Sequence, residues 1–190
     1  EAISLYKTVH PSDTNYSKIL FQLALTTYFD SSYDESIGYA KKGLELFPED
    51  AYEWYGMLGN AYDNMKKPEE AISYYNKVLE LNPNHYRTWY NKGISFYNQK
   101  NYKDAKACFQ RCLLIYPYYT SAHYFLAQVY IQEGKPVPAF FALSANLMMD
   151  PTNRYAFNAT STLGELAKAQ DNVIKNTIGS DDNFELLQEI

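Results

Sequence analysis

The stretch Tyr52–His85, YEWYGMLGNAYDNMKKPEEAISYYNKVLELNPNH, decides the fold because its pattern returns twice more at the same length. The next 34 residues, from Tyr86, read YRTWYNKGISFYNQKNYKDAKACFQRCLLIYPYY, and the 34 after that, from Thr120, read TSAHYFLAQVYIQEGKPVPAFFALSANLMMDPTN. Pro48, Pro83, Pro117 and Pro151 mark the same period, at intervals of 35, 34 and 34 residues, each just after an apolar, helix-like run. A fixed period of this size signals a stacked array, because a short helical pair cannot bury its apolar face without a neighbour.

Within the period, small and large side chains hold fixed places. The eighth position carries Gly59, Gly93 and Ala127, and the twentieth carries Ala71, Ala105 and Ala139, where two helices of a hairpin must cross closely. The eleventh position carries Tyr62, Phe96 and Tyr130, and the twenty-fourth Tyr75, Phe109 and Leu143, large groups suited to filling the gaps between hairpins. Helix punctuation agrees. Pro68 and Pro136 sit where second helices should begin and a missing amide costs nothing, and Asn101 is placed to cap the helix beginning at Tyr102.

These residues resemble the tetratricopeptide repeat family, whose pattern is an aromatic, Leu-Gly and Tyr in a first helix, then Ala, Phe or Tyr, Ala and Pro in a second. The resemblance implies an all-α fold, an α-α superhelix or solenoid of tandem helix-turn-helix repeats with first helices lining the concave side. It divides the chain into repeats at 52–85, 86–119 and 120–153, preceded by a divergent repeat at 17–51 that keeps Ala24, Ser36, Ile37, Ala40, Leu44 and Pro48 in register. Residues 1–11, with Ala2, Ile3 and Tyr6 in register, are expected to form the second helix of a truncated upstream repeat. Residues 154–178 read as a C-terminal capping helix, with Gly164 at the aromatic eleventh position, and 179–190 as the start of a further short helix. Lys92 stands where the family has Leu and is expected to snorkel from a partly covered site.

Composition excludes several classes of function. No apolar run approaches the roughly 20 residues of a membrane helix, so no membrane insertion is expected. A net charge of -5 argues against nucleic acid, which demands a long basic stripe to displace counterions. The chain lacks a glycine-rich phosphate loop, a His-Glu-x-x-His and a Gly-x-Ser-x-Gly, so no catalytic residue is assigned and no enzyme activity, cofactor or metal is implied. Cys108 and Cys112, four apart on one helix, have no second cysteine pair to complete a metal site and read as packing residues. His10, His85 and His123 are scattered and read as core or turn residues. Asn15-Tyr-Ser17 and Asn158-Ala-Thr160 fit the glycosylation triplet, a pattern common by chance.

Function is therefore expected on the surface. The family's concave positions, carried over residue by residue, give a peptide-binding groove of Phe21, Leu25, Tyr28, Asn60, Asp63, Arg87, Tyr90, Asn91, Ile94, Tyr97, Tyr124 and Gln128. Amides can satisfy an extended peptide's backbone, and tyrosine faces can hold its apolar side chains. The reading is a non-catalytic scaffold for a protein or peptide partner, with a structural spacer, an oligomerisation module or the regulatory arm of a larger protein as alternatives. A chaperone C-terminal tail is disfavoured. The family's carboxylate clamp maps to Gly56, Asn60, Asn91, Ser121 and Phe125, which retains both asparagines and none of the three cations.

Overall fold

The computed structural model describes residues 10 and 13–178, with side chains to 169; the expected helices at 1–11 and 179–190 lie outside the described residues. The described chain is all-α, with nine α-helices: α1 (Tyr16–Phe29), α2 (Tyr33–Leu46), α3 (Ala51–Asn64), α4 (Pro68–Leu81), α5 (Tyr86–Asn98), α6 (Tyr102–Ile115), α7 (Thr120–Gln132), α8 (Pro136–Met149) and α9 (Ala156–Ile178). They fall into two compact units, one ending at Pro117 and the other starting at Tyr118.

In the first unit α1–α2, α3–α4 and α5–α6 are antiparallel hairpins, and α2 and α4 also pack on the first helix of the hairpin that follows, α3 and α5. Successive first helices touch as well, so α1, α3 and α5 form one side of this unit. Pro68 is the first residue of α4, and the Asn101 side chain accepts the Asp104 amide at the start of α6. A short 3-10 turn, Pro48–Asp50, takes up chain between α2 and α3.

The interior is built by ring against glycine. A Cβ at Gly59 would come within 2.6 Å of the Tyr75 ring, and one at Gly93 within 2.6 Å of the Phe109 ring. The large residue at the twenty-fourth position therefore fills the space over the glycine of its own hairpin. Between hairpins, Trp54 of α3 is wholly buried over Gly43 of α2, where a Cβ would meet the indole at 2.5 Å. Its Nε1 donates to the Phe47 carbonyl at 3.2 Å, so one side chain supplies both packing and a backbone tie across the junction.

All three turns inside these hairpins, and the turn of α7–α8 in the second unit, share one geometry. Ser31, Lys66, Lys100 and Gly134 take left-handed φ values of 61°, 61°, 61° and 69°. At each, that residue's amide bonds three residues back and the following amide bonds five residues back, as in Lys66 to Asp63 and Lys67 to Tyr62. This is a Schellman ending, which satisfies the last carbonyls of the first helix and reverses the chain.

In the second unit α7 and α8 form a hairpin, α9 packs on α8, and Ala127, Ala142, Leu143 and Ala159 make the core. Pro136 opens α8. Asn146 is wholly buried and its amide is used at both ends: Nδ2 donates to the Thr120 carbonyl at 2.8 Å and Oδ1 accepts from Asn153 at 3.1 Å. A buried amide paired in this way fixes register where an apolar residue would only fill volume.

Candidate functional site

The side formed by α1, α3 and α5 carries a hydrogen-bonded row of polar groups. Asn64 Nδ2 donates to the Tyr28 hydroxyl at 2.7 Å and to the Asn60 carbonyl at 3.0 Å, linking α3 to α1. Asn60 Oδ1 accepts twice, from the Tyr75 hydroxyl at 3.0 Å and from Asn91 Nδ2 at 3.0 Å, linking α3 to α4 and α5. Ser95 Oγ donates to Asp63 at 2.7 Å. Burial raises the Asp63 carboxyl above its ordinary range, with the Ser95 hydrogen bond and the Lys66 charge opposing that shift. Tyr75, buried beneath the row, is held well above its ordinary pKa, by desolvation first and then by the charge of Asp63.

Cavities open along this unit. One of about 330 Å³ is lined by Phe21, Trp54, Ser17, Lys18, Asp50 and Glu53, with the Phe21 and Trp54 rings 5.7 Å apart in its wall. Another, of about 210 Å³, is lined by Asp63, Lys66, Pro68, Asn98 and Gln99, where the ends of α3 and α5 meet the start of α4.

The residues expected to line a groove divide by their partners. Asn60, Asn91, Tyr28 and Asp63 belong to the polar row, and Phe21 to the first cavity. Leu25 and Tyr28 also pack on the core, so they line the surface only in part. Tyr90 sets its ring 5.9 Å from Phe109, Tyr97 sits edge-on to Tyr102 at 5.8 Å, and exposed Arg87 reaches the Tyr86 hydroxyl at 3.0 Å. Ile94 is half-buried on α5. In the second unit, Tyr124 stacks on Tyr155 at 4.4 Å and Gln128 is half-buried. Asn64 stands at a concave position of the repeat, whereas Ser95 and the Tyr75 hydroxyl were not among the expected groove residues. Ser95 had a signal, being a hydroxyl at a buried register position held by Ala61 and Val129 in the neighbouring repeats.

Other groups singled out by sequence have packing roles. Cys108 and Cys112 are buried free thiols, pushed up by burial to about 11 and about 12, so neither is a ready thiolate. Lys92 holds its ammonium 5.3 Å from the Trp89 ring and 5.9 Å from the Phe96 ring, a snorkelling cation over two aromatics. His85 accepts or donates at Nδ1 with the Thr88 hydroxyl, 2.8 Å away, at the start of α5. Among the described residues no helix is long and apolar enough to cross a membrane.

Tandem antiparallel helix hairpins, two of them closed by a glycine under a large ring, define a helical-repeat protein. Residues 52–85 and 86–119 each match the tetratricopeptide repeat family, so α3–α4 and α5–α6 are a pair of tetratricopeptide repeats. That family consists of protein-interaction modules that are generally non-catalytic. The fold is shared with the crystal structure of MamA (TM-score 0.68, 21% identity, 78% of this chain and 85% of that one). It is shared also with YrrB, described as a TPR protein with an unusual peptide-binding site (TM-score 0.67, 19% identity, 84% and 81%). A third likeness is the first TPR of Spaghetti (RPAP3) bound to the HSP90 peptide SRMEEVD (TM-score 0.59, 21% identity, 64% and 97%). Comparison with curated protein sequences gives no match.

Proposed function

We propose that the chain is a non-catalytic scaffold that binds an extended peptide segment of a partner protein along the concave side made by α1, α3 and α5. The observation that carries this reading is the Asn60–Asn91 pair, 3.0 Å apart. Two amides joined by one hydrogen bond keep spare an acceptor oxygen and donor hydrogens whichever way the pair is turned, and a peptide group presents the complementary C=O and N–H. The Tyr75 hydroxyl fixes Asn60 from below, so the pair is oriented before a ligand arrives. The peptide-binding descriptions of YrrB and of the Spaghetti repeat lend support by analogy of fold. A tail rich in carboxylates is disfavoured here, because Gly56, Ser121 and Phe125 stand where a clamp needs cations.

The test is selection of a random-peptide phage library on the whole chain, followed by affinity measurement on Asn91→Ala, which leaves the Asn60–Tyr75 bond in place. Recovered peptides should lose about tenfold or more in affinity, the worth of one good buried hydrogen bond pair. Peptides that bind the variant equally well, or a selection that returns none, would reject this side as a peptide site.

A second reading, self-association, is favoured by α8. Its solvent side carries Val137, Phe140, Phe141 and Met148, exposed at 55%, 44%, 67% and 85%, and the helix has no charged residue. Exposed large apolar side chains gathered on one uncharged surface helix are a usual mark of an interface.

A further inference from the structure

The Asp63 cavity holds a carboxylate that feels the charge of Lys66 but is in no direct ion pair among the described residues. The carboxylate is half-buried and accepts one hydrogen bond, from Ser95, which is itself fully buried. Lys66 lines the same cavity yet forms no ion pair with it among the described residues; its backbone is spent on the Schellman turn and its side chain is exposed. Around the carboxylate stand further acceptors. Gln99 donates its Nε2 to Glu69 at 3.3 Å, which leaves Oε1 for the cavity, and Asn98 closes the wall with a second side-chain amide. A ligand that covered this cavity with apolar or acidic groups would strand a carboxylate away from water, a penalty several times a normal hydrogen bond.

Resting on the peptide-binding reading above, we propose that this cavity is a subsite for a basic side chain of the partner peptide, arginine above all. Guanidinium carries five N–H donors in a planar fork, enough to meet the free oxygen of Asp63 and the side-chain oxygens of Gln99 and Asn98 together. The cavity's volume of about 210 Å³ accommodates such a head with part of its stem. Lysine presents a point charge with three donors and satisfies the carboxylate while leaving more of the amide oxygens to water. The site therefore reads one residue of the partner, whereas the Asn60–Asn91 pair reads only its backbone.

The same peptide library tests this separately. Wild-type selections should enrich arginine at one fixed position, and Asp63→Asn, which keeps an acceptor for Ser95, should still return binders with that enrichment gone. For a single selected peptide, replacing its arginine by glutamine and replacing Asp63 by Asn should each weaken binding about tenfold or more, and the two changes together should cost little beyond either alone. Thermal melts of Asp63→Asn within a few degrees of wild type confirm an intact fold. Binders without arginine enrichment, or enrichment that survives Asp63→Asn, overturn the subsite and leave the groove standing. A selection that returns no binders removes both.

Discussion

The hairpins α5–α6 and α7–α8 lie one repeat apart and solve the same packing problem with different residues. In the first, Gly93 lies under Phe109; at the matching positions of the second stand Ala127 and Leu143. The turn of the first places Lys100 in the left-handed region, where the second has Gly134. The second helix of the first carries Lys103, Asp104, Lys106 and Arg111, whereas α8 is uncharged from end to end. The interior difference is compensated, since one methyl gained beneath is matched by a smaller group above. The surface difference is not compensated at all. What the repeat constrains is summed volume and backbone path, and the solvent face is free to be rewritten for a partner.

Breaking the compensation should have the largest effect. Gly93→Ala sets a methyl against the Phe109 ring and is expected to destabilise by about 1–3 kcal/mol, as overpacking of a dense core does. Adding Phe109→Leu copies the pair found in α7–α8 and should recover most of that loss, although the leucine alone opens a cavity and destabilises. Urea unfolding of the two single variants and the double variant gives the coupling. A double variant whose loss equals the sum of the two single losses would show that the glycine and the ring do not form one packing unit.

How much of this was legible beforehand follows from what fixes each feature. The period, the small residues under large ones and the prolines opening α4 and α8 could be read because sterics leave few residue choices at those places. The Schellman turns were hidden behind Lys66 and Lys100, which no propensity argument places at positive φ. The polar row was only half visible. Asn60 and Asn91 stood at expected positions, but their bond to each other, the Tyr75 hydroxyl beneath and the Ser95–Asp63 contact depend on how neighbouring helices are set side by side. Several expected groove aromatics, Tyr90 and Tyr124 among them, spend a ring face on Phe109 or Tyr155, because a half-buried tyrosine gains more by packing at home than by waiting for a ligand.

The surface contrast can be sharpened by exchange. Val137→Glu, Phe141→Ser and Met148→Glu install on α8 the residues that α4 carries at the same repeat positions, Glu69, Ser73 and Glu80. Each is a solvent-side change expected to move stability by no more than about 0.5 kcal/mol. If α8 is an interface between copies, wild type should show sedimentation that depends on concentration and the triple variant should not. A wild-type chain that stays monomeric as concentration is raised would remove self-association and leave α8 for a different protein.

The smallest effect expected lies in the turns. Lys66 and Lys100 carry a Cβ through the left-handed region, at a cost of about 1 kcal/mol relative to glycine. Part of that gain is returned by the extra freedom glycine gives the unfolded chain. Lys100→Gly should therefore stabilise the chain modestly, by a few tenths to about 1 kcal/mol. Gly134→Lys, the reverse exchange, should destabilise by a comparable amount even though a Cβ at Gly134 meets nothing within 4 Å. Because space is open there, any loss comes from the backbone alone. Equal melting temperatures for Gly134→Lys and wild type would mean that the two Schellman bonds, Gly134 to Ile131 at 3.0 Å and Lys135 to Tyr130 at 2.8 Å, hold the turn without regard to the residue that makes it.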